Sequence, residues 1–298
     1  MSDNSSLDVF FSKYKEMLER QMEDCIRKLQ SPPMLKDAML YSLSAGGKRI
    51  RPILLFATLD ALGEDPERGL FPACAIEMLH TYSLIHDDLP SMDDDDLRRG
   101  KPTNHKVFGE ANAILAGDAL LTYSFQLIAE APEISIPLHA KIELIRELAL
   151  AGGAEGMVGG QTADIAGEEK VLGLEELKYI HAHKTGKLLT YSVMAGAICA
   201  ATNEETKSHL RDYATHLGLA FQIRDDLLDL DGNEEVLGKP VGSDEGNHKS
   251  TYPALLGVEG AKEALEQEIN GAYAALRKTN GKTVLLEAIA DLIAKRDH

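Results

Sequence analysis

Apolar residues at Phe10, Tyr14, Leu18, Met22, Cys25 and Leu29 recur three and four positions apart and stop at Ser31-Pro32-Pro33. That spacing lines one face of a helix, and the two prolines end it. The same period returns at Ala261, Leu265, Ile269, Ala272 and Leu276. Between them lie Ala/Leu/Ile/Met-rich segments over 34–45, 52–62, 70–89, 111–130, 138–157, 174–201, 206–231 and 250–257. Alternating β-branched runs of the strand type are almost missing. The breaks are short and marked by Gly or Pro: Gly63–Pro66, Gly100–Thr103, Pro132–Pro137, Gly167–Gly173 and Gly232–Gly246. None is long or polar enough to read as an interdomain linker. The pattern predicts an all-α fold, one domain over 1–298 with ten or more helices.

Charge narrows the partners. Lys and Arg number 31 against 48 Asp and Glu, a formal net charge of −17. Such a field repels polyanions and argues against nucleic acid held through its phosphates. The longest uncharged stretch, Leu188–Asn203, has 16 residues and contains Thr, Tyr, Ser and Gly. A spanning helix needs about 20 mostly apolar residues, so this predicts a buried core helix and no membrane span. The opening MSDNSSLDVFF lacks the basic start and apolar run of a signal peptide. Cys25, Cys74 and Cys199 are odd in number, far apart and without CxxC spacing. They predict small buried thiols and a reduced, cytoplasmic setting.

The acidic excess is concentrated. Residues 87–96 hold six aspartates, within LIHDDLPSMDDDDLRRGKPT, and FQIRDDLLDLDGNEEVLGKPVG surrounds Asp225. Each stretch has an apolar helical approach, an Asp-Asp pair, further aspartates and then Gly-Lys-Pro. Asp87 to Lys101 and Asp225 to Lys239 are both 14 positions. Spacings of three and four put Asp225, Asp226 and Asp229 on one helical face, where unpaired carboxylates would repel each other. A cation at that face resolves the repulsion. Oxygen donors without His or Cys select Mg²⁺ or Mn²⁺, and Mg²⁺ shares its shell with substrate phosphates. An EF-hand does not fit, because Gly232 follows Asp229 at the fourth loop position rather than the sixth. In the first group Pro90 distorts the helix end, so Asp87, Asp88 and Asp93 need not keep helical phase. A solvated acidic loop is the plainer reading of that run taken alone.

Basic residues accompany these groups. Arg98 and Arg99 follow the first directly, and Lys239 and Lys249 follow the second. Upstream, GGKRIRP over 46–52 offers glycines for close approach and three cations within four positions. Lys48 and Arg51 would face one anion if helical, Arg as a bidentate fork and Lys as a point charge. The nucleotide-binding GxxxxGK[ST] loop is absent.

Taken together, GGKRIRP, the two aspartate-rich stretches, AGDALL, GGQTADI, HAHKTGKLL and KSTYPALLG resemble the short-chain trans-isoprenyl diphosphate synthases, most closely their bacterial farnesyl branch. The resemblance covers nearly the whole chain, and the first motif carries the two-residue insertion of the bacterial and plant type. It implies a helical bundle around a deep central cavity, a homodimer, and three Mg²⁺ clamping an allylic diphosphate, with Mn²⁺ as a substitute. Asp87, Asp93 and Asp225 would hold the metals, supported by Asp88 and Asp229. Arg98, Lys184 and Lys239 would contact that diphosphate. Lys48, Arg51, His80 and Arg99 would hold isopentenyl diphosphate, with Lys249 as a further substrate-binding residue. Thr185 and Gln222 would sit beside the allylic cation, with Lys184-Thr185-Gly186 as a helix kink. The loop over 232–249 would close over the site. Tyr82, five residues before Asp87, would floor the cavity for the growing chain, although helical geometry alone puts Ser83 in line with Asp87. The activity implied is condensation of isopentenyl diphosphate with dimethylallyl and geranyl diphosphate to the fifteen-carbon product. A twenty-carbon synthase is the alternative. A class I terpene cyclase fits less well, since it would need a different second metal motif and would lack the basic pocket.

Overall fold

A computed structural model describes residues 3–168, 170–231 and 250–296; Lys239, Lys249 and the rest of the 232–249 loop lie outside the described residues. The described residues divide into two compact units, Met1–Phe56 with Pro66–Ile145, and Ala57–Asp65 with Arg146–His298.

The first unit contains α1 (Asp3–Lys28), α2 (Pro33–Leu43), the start of α3 (Ile50–Ala61), α4 (Leu70–Asp87), α5 (Asn104–Phe108), α6 (Glu110–Glu130) and the start of α7 (Leu138–Gly152). On α1 the three- and four-residue period turns Tyr14, Leu18, Met22, Cys25 and Ile26 inward. The main packing is α4 against α6. Leu70–Asp87 buries Ala73 through Leu79 all round, so it is a core helix rather than a surface one. Between α4 and α5 the chain forms a two-residue hairpin, β1 (Leu97–Arg98) with β2 (Lys101–Pro102), which the apolar pattern did not signal.

The second unit contains α8 (Met157–Gly167), α9 (Leu174–His181), α10 (Lys187–Cys199), α11 (Glu204–Asp231), α12 (Tyr252–Leu276, kinked at Gly257) and α13 (Val284–Lys295). The α11–α12 pair forms its centre. As its composition predicts, α10 is buried over Leu188–Cys199 apart from Thr190. The expected helix over 138–157 instead ends at Gly152. The separate α8 was missed because MVGGQTADIAG is rich in glycine, a poor helix former. Cys25, Cys74 and Cys199 are buried free thiols.

Candidate active site

The first acidic group sits at the end of α4, which stops at Asp87, three residues before Pro90. The Asp93 amide donates to the Asp87 carbonyl at 2.8 Å and the Asp94 amide to the Leu89 carbonyl at 3.1 Å. The chain therefore doubles back and brings Asp93 to Asp87. Asp88 behaves differently. It is buried, and Arg98 holds its Oδ1 from Nη2 at 2.5 Å and Nε at 2.7 Å. Burial pushes the Asp88 carboxyl up, and Arg98 partly opposes that shift. Two residues expected to act separately on metal and diphosphate are thus paired with each other.

The hairpin aims the adjacent cation. Arg99 and Gly100 have φ of 52° and 73°, both positive as a two-residue hairpin turn of the I′ type requires. The Arg99 guanidinium donates to the Gly46 carbonyl. A Cβ on Gly47 would lie 2.6 Å from Arg99 Nη1, so a glycine there makes room for the guanidinium.

Lys48 and Arg51 do not stand on one helical face. Gly46, Gly47 and Arg49 have φ of 85°, 125° and 53°, so α3 begins only at Ile50 and Lys48 precedes it. Arg49, the third cation of this run, is structural. It is buried, with Nη1 2.6 Å from Glu77 and Nη2 2.5 Å from the Leu43 carbonyl. His80 on α4 gathers the others. Burial, then Arg51 and Arg99, hold its pKa well below the usual imidazole value, so it is neutral inside a cationic cluster.

Two residues on from His80, Tyr82 is buried and its ring meets His86 edge-on, centroids 5.6 Å apart. Burial, then Asp87, push its hydroxyl pKa up to about 12. The Ser83 hydroxyl donates to the His80 carbonyl at 2.9 Å and so is taken up by its own helix.

In the second unit α9 runs into α10 through a five-residue π turn, Ala182–Gly186, where the kink was expected. Such turns widen a helix and recur at functional sites. Lys184 lies in it, with Nζ 2.6 Å from Asp164 of α8; Thr185 follows, half-buried. Lys184, Asp164 and His181 line a cavity of about 250 Å³ with Gln222, Asp225 and Asp229 of α11. Asp226, on the same face, is buried and accepts the Tyr252 amide at 2.8 Å, so it anchors the start of α12. Burial holds the His181 pKa down to about 4. Thr185 is not among the residues lining this cavity.

Both acidic groups offer oxygen donors only. Among the described residues no three His, Cys, Asp or Glu side chains form a ready-made cage. That suits Mg²⁺, which binds one or two carboxylates and completes its shell with water and substrate phosphate.

The family model for polyprenyl synthetase matches residues 32–292. The chain belongs to the polyprenyl synthetase family. Farnesyl diphosphate synthase of Geobacillus stearothermophilus is 58% identical over 293 residues, 98% of this chain and 99% of that one. The crystal structure of an FPP/GFPP synthase from Zymomonas mobilis superposes with a TM-score of 0.85 at 37% identity, covering 97% of this chain and 99% of that one. A geranyltransferase from Helicobacter pylori complexed with magnesium and isoprenyl diphosphate does so with a TM-score of 0.80 at 35% identity, covering 95% and 96%.

Within this polyprenyl synthetase fold, Gly160 of α8 has a packing role that the GGQTADI stretch does not signal by itself. A Cβ there would fall 2.2 Å from the Lys184 amide nitrogen, so the π turn packs directly on the α8 backbone. Gly160→Ala is expected to cost about 3 kcal/mol, an overpacking cost that backbone cannot relax away. It should also lower turnover by displacing Lys184. Thermal unfolding and steady-state kinetics check it; a variant unchanged in both would rule out the tight seat.

Proposed function

We propose that this polyprenyl synthetase is a farnesyl diphosphate synthase. It joins isopentenyl diphosphate head to tail with dimethylallyl and then geranyl diphosphate, giving (2E,6E)-farnesyl diphosphate. The carrying observation is 58% identity to a synthase of that name along nearly the whole chain. The His80–Arg51–Arg99 cluster and the Asp225–Asp229 cavity both suit the reading.

Breaking the allylic C–O bond leaves a carbocation and a diphosphate of high charge. Asp87, Asp93 and Asp225, with Asp88 and Asp229 in support, are the seats for Mg²⁺, three ions per site in this reading. When bound, Mg²⁺ supplies Lewis-acid stabilisation of the leaving diphosphate. Arg98, Lys184 and Lys239 add fixed positive charge to that group, and such donors act most strongly where water is excluded. Lys48, Arg51 and Arg99 hold isopentenyl diphosphate, with Lys249 as a further contact. Neutral His80 supplies a hydrogen bond without adding charge. Gln222, which lines the cavity, sits beside the cation in this reading, and Thr185 of the π turn follows Lys184 in sequence. The double bond of isopentenyl diphosphate attacks, and in this reading the released diphosphate takes the proton.

No helix among the described residues is long and apolar enough to cross a membrane. We assign the enzyme to the cytoplasm and read it as a homodimer. Ile114 and Leu115 of α6 and Leu138 and Ile142 of α7 are exposed apolar residues that suit a partner subunit.

The test is incubation with labelled isopentenyl diphosphate, each allylic starter and Mg²⁺, followed by sizing of the products. Farnesyl diphosphate is the expected end point. Accumulation of the twenty-carbon diphosphate, or hydrocarbon released from farnesyl diphosphate alone, would overturn it. Tyr82→Ala removes a buried ring next to Asp87 and is expected to shift most product beyond fifteen carbons. An unchanged length in the same assay would remove Tyr82 from the cavity floor.

A further inference from the structure

Asp225 is met by a cation from the same chain. Arg296, directly after α13, donates from Nη2 to Asp225 Oδ1, across 71 positions of sequence. The same nitrogen donates to the Phe221 carbonyl at 2.9 Å, and the guanidinium carbon lies 4.0 Å from the Phe221 ring centroid. The Arg296 carbonyl accepts from Arg224 Nε at 2.9 Å and Nη2 at 2.5 Å. Three residues of α11 therefore hold one arginine, backbone and side chain, against the face that lines the cavity. The Arg296 side chain is only 10% exposed, whereas that of Asp225 is 43% exposed. The contact is a built seat on a carboxylate that solvent and ions still reach.

We propose that Arg296 is an internal counter-ion for the metal seat, an arginine that holds Asp225 until a divalent cation displaces it. This rests on the reading of Asp225 as a metal ligand. An arginine and a hydrated metal are alternative cations for the same carboxylate oxygen, so each lowers the other's occupancy. Arg296 places a compensating positive charge on Asp225, which stands one turn from Asp229. The consequence is an apparent metal affinity set below its intrinsic value. A contact closed about nine-tenths of the time weakens apparent affinity about tenfold. Arg296 is thus a positioning residue acting through Asp225.

Calorimetric titration of Mg²⁺ into the full chain with saturating inorganic diphosphate tests this without relying on turnover. Arg296→Ala is expected to bind Mg²⁺ about tenfold more tightly. Arg296→Lys, which keeps the charge but loses the planar fork, should fall between that variant and the native protein. Placed on Asp225→Asn, the Arg296→Ala change should have no effect. Unchanged or weaker binding by Arg296→Ala would overturn the proposal, and so would an equal gain in the Asp225→Asn background. Should Arg296→Ala fail to fold, Phe221→Leu removes only the ring beneath the guanidinium and should tighten binding several-fold; no gain there overturns the proposal as well. Asp225→Asn alone separates the two levels: if its Mg²⁺ affinity equals the native value, the metal assignment fails and the proposal falls with it.

Discussion

Asp225→Asn is expected to lower the rate of farnesyl diphosphate formation by about 10²–10³-fold, the scale of losing one preorganised stabiliser of transition-state charge. The substitution keeps size and hydrogen-bonding shape but removes the negative charge facing the cavity. That charge is useful only with a cation on it, so the loss belongs to the ionisation step and should appear in kcat. Folding should change little, because the ion pair to Arg296 that it breaks involves a carboxylate that is 43% exposed, and such pairs are worth about 0–1 kcal/mol. Single-turnover kinetics with geranyl diphosphate, alongside thermal unfolding, check both halves. Near-native turnover would remove Asp225 from the reaction. An unfolded variant would make its role structural.

Arg49→Met is expected to have the largest effect on stability and almost none traceable to chemistry. Glu77 is buried in α4, and Arg49 Nη1 lies 2.6 Å from its carboxylate. Removing the arginine strands that charge, which costs about 3–5 kcal/mol. In a protein of this size each kcal/mol lowers the unfolding temperature by roughly 2–4 °C, so a fall of about 10 °C should be seen. Removing both charges tells desolvation from simple loss of contact. Arg49→Met with Glu77→Leu should recover most of the loss, because an apolar pair of similar volume has no charge to desolvate. A double variant no more stable than the single one would show that packing by Arg49, not its charge, holds the loop. The result matters for reading GGKRIRP: of its three cations, Arg49 serves the fold.

The elements most legible from residue order were those whose evidence lies within one or two helical turns. The period on α1, the stop at Pro32-Pro33 and the buried character of Leu188–Cys199 are of this kind. So is the shared face of Asp225, Asp226 and Asp229, since neighbours three and four positions apart meet wherever a helix forms. The hairpin at Leu97–Pro102 was not legible, because two-residue strands are too short to show alternation. Helix α8 was hidden because its glycines, unfavourable for a helix taken alone, are required by the backbone that packs on them.

Composition, periodicity and spacing were thus sufficient for the helical class, the oxygen-donor character of both acidic groups and the basic residues set beside them. Only the tertiary structure decided how those charges are used. It pairs Asp88 with Arg98, gives Asp226 to the Tyr252 amide, joins Lys184 to Asp164, buries Arg49 on Glu77 and lays Arg296 on Asp225. The reason is physical. A carboxylate carries the same charge in any sequence, but whether it meets a metal, an arginine or an amide depends on which distant groups the packed core brings within about 3 Å of it.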